Sequence, residues 1–181
     1  AIKNLMSKRI NFIVLAALVM LTLFTANNYP VLSTAINSGD TAWVLVSSAL
    51  VLIMTPGLSF FYGGLINKKN VVSTMLQSFV ALGVISVIWV IVGFSLAFGD
   101  SIGGIIGNPL TYLSFNNVGA EPNPAFSSNI PFLLFAIFQL TFAIITPALI
   151  TGSFAGRIRF RSYILFMVLF SLLIYCPLAH M

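Results

Sequence analysis

Long runs of uncharged, mostly apolar residues alternate with short polar or basic segments along the chain. Four runs reach the roughly 20 residues that a helix needs to cross the hydrocarbon core of a bilayer. They cover about 42–66, 71–99, 131–156 and 162–180, and none contains a formal charge. Each run is too long for a membrane β-strand and lacks the alternation of period two. The pattern therefore predicts an all-α integral membrane protein, a polytopic bundle of helices.

Composition agrees with a lipid environment. Hydrophobic residues make up 59% of the chain and charged residues 6%, whereas soluble domains contain roughly 25% charged residues. The formal charge of +5 would invite a nucleic-acid partner. The basic residues, however, form small clusters separated by long uncharged runs. The expected surroundings are therefore the lipid bilayer, and no nucleic acid is expected as a partner.

Charged residues mark the two sides of the predicted spans. With simple alternation, all eight basic residues fall on one side, namely Lys3, Lys8, Arg9, Lys68, Lys69, Arg157, Arg159 and Arg161. The three acidic residues fall on the other side, namely Asp40, Asp100 and Glu121. Basic loops stay in the cytoplasm. The sequence predicts a multi-pass protein of the cytoplasmic membrane, with its basic loops inside and its mature N-terminus outside.

The first 35 residues allow two interpretations. Lys8 and Arg9 precede a shorter apolar run at about 10–26, and small residues allow cleavage after Ala35. This arrangement is typical of a secretory signal peptide, which is the favoured prediction for 1–35. An uncleaved first helix is the alternative. Residues 36–181 would then form the membrane domain.

The segment at about 100–130 is long, rich in Gly, Asn, Pro and Ser, and predicted to lie outside. It contains no recognisable strand or helix pattern. A polar connector of low intrinsic order and a lid over a functional vestibule both remain open.

Prolines and glycines interrupt two of the spans. Pro56 and Pro147 each remove one backbone hydrogen bond, so both helices are expected to bend. Gly63 and Gly64 are expected to let another backbone approach closely, which is the usual role of small residues in membrane helix packing.

Groups for enzymatic chemistry are scarce. His180 has no carboxylate within its span, Cys176 has no partner cysteine, and no catalytic or metal-binding motif occurs. Gln77 and Gln139 lie inside apolar spans and are expected to satisfy a neighbouring carbonyl group. The sequence predicts neither an enzyme nor a cofactor or metal site.

Aromatic residues form a stripe on the third span. Phe138 and Phe142 are four residues apart, Phe135 is three before Phe138, and all three share a helix face. The rings could simply face lipid or the core. Alternatively they line a pore, because ring faces attract cations by about 0.5–2 kcal/mol.

Four stretches together resemble the ammonium transporter (Amt) family, in its N-terminal portion. PGLSFFYGGLINKKNV at 56–71 resembles the signature of the family's first helix, and WVIVGFSLAFGD at 89–100 the end of its second. FQLTFAIITPALITGSFAGRIRFRSYILF at 138–166 resembles the third helix, a basic loop and the fourth helix, and YCPLAHM at 175–181 the end of the fourth. The order of the four stretches makes the resemblance specific.

The resemblance implies a homotrimer in which each subunit contains its own narrow hydrophobic pore. The full fold would have about eleven helices, built as an inverted repeat of two halves. It implies that ammonium is captured at an aromatic vestibule and deprotonated, and that ammonia then crosses the pore. This chain would supply about the first four helices, as a fragment that lacks the second half.

Site residues follow from the same resemblance. Phe138 matches an aromatic residue of the vestibule, and Phe142 matches the first phenylalanine of the pore gate. Phe61 and Tyr62 are candidates for the inner lining of the pore. Gln139 matches a glutamine with a structural role, which agrees with the expectation from its position.

Other roles remain open under the resemblance. The family's vestibule tryptophan, conserved aspartate and paired pore histidines would all follow Met181, and His180 is not one of that pair. An ammonium sensor or a non-transporting interaction subunit of the same fold is an alternative, as is a Rhesus-type channel for small solutes. A PII-type cytoplasmic regulator is a candidate partner at the basic loops, although the positive-inside rule alone explains those charges.

Overall fold

The computed structural model describes residues 36–181. Within this range four helices are long and apolar enough to cross a membrane: α1 (Ser38–Leu65), α2 (Lys68–Phe98), α3 (Phe132–Phe154) and α4 (Phe160–His180). They match the four predicted spans to within a few residues, and the predicted helical membrane fold is confirmed. The signal peptide predicted for 1–35 lies outside the described residues.

Two of the helices change their winding near one end. α2 contains a π-helical turn at Trp89–Gly93, and α4 contains one at Ser171–Tyr175. The two turns lie side by side, because the rings of Trp89 and Tyr175 are 6.1 Å apart and the Sγ of Cys176 lies 3.6 Å from the carbonyl oxygen of Gly93. Cys176 is fully buried there. Apolar periodicity gives no sign of these turns, since they keep the helix continuous.

Small residues bring α1 close to α2. The buried positions of α1 are spaced by one or two turns and lie on one face: Ser48, Thr55, Ser59 and Gly63. The hydroxyl of Ser59 donates to the carbonyl oxygen of Met75, 3.1 Å away. A Cβ atom on Gly63 would lie 3.0 Å from Cγ of Met75, whereas one on Gly64 would meet nothing within 4 Å in the described part of the chain. Gly63 is therefore the member of the pair that packs against α2.

The spans contain two prolines that leave their helices continuous and two glutamines that differ in burial. α1 continues through Pro56 and α3 through Pro147, each as one helix, and the expected bends stay a prediction. Gln77 is 3% exposed, and its Oε1 has no partner within residues 36–181. Gln139 is half-buried.

The segment 99–131 contains two short strands and a helical turn, although its sequence shows no recognisable strand or helix pattern. Two short antiparallel strands, β1 (Ser101–Ile102) and β2 (Ile106–Gly107), form a hairpin, and a 3₁₀ turn follows at Leu113–Phe115. Gly103 and Gly104 in the hairpin turn have φ angles of 66° and 73°, which glycine adopts readily. Strands of two residues are too short to show alternation, so the sequence pattern missed them.

Aromatic rings hold this segment against the ends of α2 and α3. The ring of Phe94 lies within 5.5 Å of the rings of Phe98, Tyr112, Phe115 and Phe132. The indole N–H of Trp89 donates to the carbonyl oxygen of Ala136, 3.2 Å away. Both Trp89 and Phe94 are fully buried. We call this end of the bundle, with segment 99–131 and the rings packed on it, the cap end.

The opposite end contains the connections α1–α2 and α3–α4. The α3–α4 connection lies against the first turn of α2, since a Cβ atom on Gly156 would lie 3.2 Å from Nδ2 of Asn70. All basic residues of the described range lie here, namely Lys68, Lys69, Arg157, Arg159 and Arg161. The acidic residues Asp40, Asp100 and Glu121 lie at the cap end. We call the former the basic end. For the charged residues of the described range, the predicted separation along the bundle is present; Lys3, Lys8 and Arg9 lie outside it.

Candidate functional site

One face of α3 is left uncovered by the other described helices. The opposite faces pack against α1, α2 and α4 through buried residues, among them Ala136, Ala143, Ile144, Ala148 and Thr151. The exposed or half-buried positions of this face recur every three or four residues: Phe138, Phe142, Thr146, Leu149 and Ser153. We call this set the α3 stripe. It extends about 22 Å at 1.5 Å per residue, from just below the cap end to the basic end.

Phe138 and Phe142 form a pair at the cap-end side of the α3 stripe. Their ring centroids are 5.1 Å apart and the ring planes are inclined by 77°, an edge-to-face arrangement that aromatic pairs favour. Phe142 is 38% exposed and Phe138 is half-buried. Phe135, expected on the same face, packs instead in the cap end, 5.2 Å from the ring of Phe98.

Two threonine hydroxyls of α3 are bonded to carbonyl oxygens of their own helix. The hydroxyl of Thr146 donates to the carbonyl oxygen of Phe142 at 2.8 Å, and that of Thr141 donates to the carbonyl oxygen of Phe138 at 2.6 Å. No residue of the α3 stripe is ionisable. The face is therefore aromatic at one end and uncharged throughout.

A cavity of about 410 Å³ lies at the basic end of the α3 stripe. It is lined by Tyr62, Leu65, Ile66, Leu149, Gly152, Ser153, Ala155 and Arg157, and we call it the Tyr62 cavity. The hydroxyl of Tyr62 donates to the carbonyl oxygen of Leu149 at 2.8 Å. Phe61 lies beside Tyr62, with ring centroids 5.4 Å apart, but it is 60% exposed and is not part of the cavity wall.

The structure thus brings Tyr62 to the same face of α3 as Phe138 and Phe142, at the other end of the helix. Sequence reasoning missed Thr146, Leu149 and Gly152. For Thr146 and Leu149 the signal was the continued spacing of three and four residues beyond Phe142, which the run of apolar residues concealed, whereas Gly152 has no local signal. Within residues 36–181, no three metal-ligating side chains are close enough to hold an ion.

Comparison with known proteins gives one consistent result. The family model described as Ammonium Transporter Family matches residues 42–181. An ammonium transporter of Mycobacterium tuberculosis is 46% identical over 157 residues, which cover 80% of this chain and 33% of that protein. An ammonium transporter of Aquifex aeolicus is 47% identical over 146 residues, covering 80% of this chain and 34% of that protein.

Solved structures agree with the sequence relatives. The crystal structure of Saccharomyces cerevisiae Mep2 superposes with a TM-score of 0.70 at 35% identity, covering 81% of this chain and 32% of that one. Candida albicans Mep2 superposes with a TM-score of 0.70 at 29% identity. The chain spans about a third of the length of the relatives it matches.

Proposed function

The chain belongs to the ammonium transporter family, and from this premise we propose that its protein moves ammonium or ammonia across a membrane. The family is one of transporters rather than enzymes. The residues described above would supply the first four helices of a channel-like subunit. Further helices of the family fold would close the pore opposite the α3 stripe.

The observation that carries the proposal is the pair of phenylalanine rings at the head of an uncharged helix face. Phe138 would contribute to the vestibule, where ring faces attract the cation by about 0.5–2 kcal/mol. Phe142, whose ring meets that of Phe138 edge to face at 5.1 Å, would close the passage below it as a gate.

An uncharged wall selects the neutral form of the substrate. A bare cation in a dry apolar passage loses its hydration, which costs several kcal/mol or more, whereas ammonia has no charge to desolvate. Ammonium can lose a proton at the vestibule and cross as ammonia. Potassium has no proton to lose and would be rejected on the same ground.

The two ends of the bundle would face different compartments. The basic end carries five basic residues and no acidic residue within the described range, and the positive-inside rule puts such an end in the cytoplasm. The cap end would then face outside. Assembly as a homotrimer, and a PII-type regulator bound at the basic end, are further parts of the proposal that rest on family resemblance alone.

Uptake by the full-length protein tests this function. In a host without ammonium transporters of its own, the wild type should give saturable uptake of methylammonium. Phe142→Asp should reduce uptake to background, because a carboxylate at this depth costs about 2.5–3.5 kcal/mol and attracts a cation into the gate. Phe142→Leu keeps the position apolar and should retain uptake.

Two results would count against the proposal. Normal saturable uptake by Phe142→Asp, in protein present at wild-type amounts, would exclude Phe142 from the passage. A wild type that reaches the membrane but takes up no methylammonium or ammonium would favour a sensor or a non-transporting subunit.

A further inference from the structure

We propose that Gly152 sets the width of the passage at its basic end, by fixing the position of the Tyr62 ring, and thereby limits the size of the amine that crosses. The inference rests on the proposed transport function and adds a positioning residue for specificity. Gly152 has no side chain that could touch the substrate, so its effect would be exerted through Tyr62.

The contact between Gly152 and Tyr62 is close. A Cβ atom on Gly152 would lie 2.6 Å from Cε1, 2.9 Å from Cζ and 3.2 Å from Cδ1 of Tyr62. Carbon atoms in ordinary contact are about 3.5–4.0 Å apart. The edge of the ring therefore rests directly on the backbone of α3, and only glycine at position 152 leaves room for it there.

A hydrogen bond holds the ring in this place. The Tyr62 hydroxyl donates to the carbonyl oxygen of Leu149 at 2.8 Å, and Leu149 lies three residues before Gly152 on nearly the same side of α3. The ring is thus supported at its edge by Gly152 and fixed at its tip by Leu149. An added methyl group could be accommodated only if the ring moved away from α3, which would strain or break the hydrogen bond.

A Tyr62 ring that moves away from α3 would affect the passage of the substrate. Tyr62, Leu149 and Gly152 all line the Tyr62 cavity, and Leu149 also belongs to the α3 stripe. A ring displaced from α3 would enter the cavity and narrow the route that continues from Phe142. Ammonia would be affected least and larger primary amines progressively more, in the order methylamine, then ethylamine.

The decisive variant is Gly152→Ala in the full-length protein, reconstituted in vesicles. Maximal uptake of methylammonium should fall roughly tenfold. Overpacking costs about 1–3 kcal/mol, and each increase of about 1.4 kcal/mol in the barrier to transport slows it tenfold. Uptake of ammonium should fall less, and KM should stay within about twofold because the vestibule at Phe138 is untouched. Gly64→Ala is the matched control: it lies two residues after Tyr62, and its Cβ atom would meet nothing within 4 Å among residues 36–181.

Second-site changes separate a displaced ring from a damaged fold. In the Gly152→Ala background, Tyr62→Ala removes the ring and should restore methylammonium uptake, whereas Tyr62→Phe retains the ring edge and should not. Tyr62→Ala alone should raise the ratio of ethylammonium to ammonium uptake. The selectivity of Tyr62→Ala alone tests the role of the ring even if Gly152→Ala fails to fold.

The outcomes distinguish this inference from the proposed function. A wild type that transports ammonium, together with a folded Gly152→Ala variant that matches Gly64→Ala for both amines, would overturn the inference and leave the function standing. The inference would also be overturned if Tyr62→Ala left both the ratio of ethylammonium to ammonium uptake and the defect of Gly152→Ala unchanged. Absence of ammonium uptake by the wild type would remove the proposed function and this inference with it.

Discussion

The cap end and the basic end of the bundle are built on different principles. At the cap end, large rings such as Trp89, Phe94 and Phe132 are at most 2% exposed and pack edge to face on one another. At the basic end, glycines leave room for side chains of neighbouring helices, with Met75 packed on Gly63 and Tyr62 packed on Gly152. Glycines of the cap end, Gly99 and Gly107, are approached by backbone atoms, so large rings fill that end, whereas at the basic end side chains from other helices pack on the glycines.

The difference suits the task proposed for each end. Phe138 and Phe142 lie directly below a cluster that holds its neighbours in one arrangement, so a recognition pair there would be preorganised. The Tyr62 cavity needs open space beside its fixed ring, since the transported amine would leave through it. Changes at the cap end should therefore alter stability, and changes at the basic end should alter passage more than stability.

The largest expected effect is on the cap end, from Phe94→Ala. This ring contacts four other rings of the cluster besides Trp89, so its removal leaves a cavity that rigid neighbours cannot fill. The free energy of unfolding in detergent should fall by about 3–5 kcal/mol.

Phe60→Ala is the matched control for this change, because Phe60 is 65% exposed within the described bundle. The control should change the free energy of unfolding by much less than Phe94→Ala. Equal losses for the two variants would show that the cap end is no more tightly packed than the surface of α1.

A smaller effect is expected from Ser95→Ala at the junction of α2 and segment 99–131. The hydroxyl of Ser95 donates to the carbonyl oxygen of Asn108 at 2.7 Å and accepts from the backbone N–H of Tyr112 at 2.9 Å. Its loss leaves the N–H of Tyr112 without a partner, at about 1–3 kcal/mol, while the carbonyl oxygen of Asn108 still accepts from the N–H of Thr111 at 3.3 Å. Limited proteolysis should cut segment 99–131 faster than in the wild type; unchanged cleavage would mean that the rings alone order this segment.

These same contacts explain which parts of the fold the sequence could predict. The four spans were predictable because crossing a bilayer demands long uncharged runs, and the sequence shows them directly. The order in segment 99–131 was not, because it arises when Tyr112, Phe115 and Phe126 meet rings from α2 and α3. A composition rich in glycine and proline indicates the local conformation of the backbone, but it does not indicate contacts with residues far away in the sequence.

The candidate site shows the same division. Phe138 and Phe142 could be selected from their spacing and from family resemblance, and their edge-to-face contact agrees with a shared helix face. Gly152 could not be selected, since one glycine in an apolar run carries no local sign of what lies against it. Its contact with Tyr62 joins residues 90 positions apart (152 minus 62), which only the packing of α1 on α3 reveals.

The smallest expected effect separates the glycine pair of α1. Replacing Gly by Ala inside a helix gains about 0.5–1 kcal/mol from backbone entropy, and Gly64→Ala should show this gain in detergent, since its Cβ atom has open space. Gly63→Ala should forfeit most of the gain, because its Cβ atom would press on Cγ of Met75 at 3.0 Å and on Sδ at 3.3 Å. The penalty stays small because methionine is flexible enough to move aside. In a Met75→Ala background the two variants should become equal in stability, and a difference that persists there would place the constraint on the backbones of α1 and α2 instead of on this side chain.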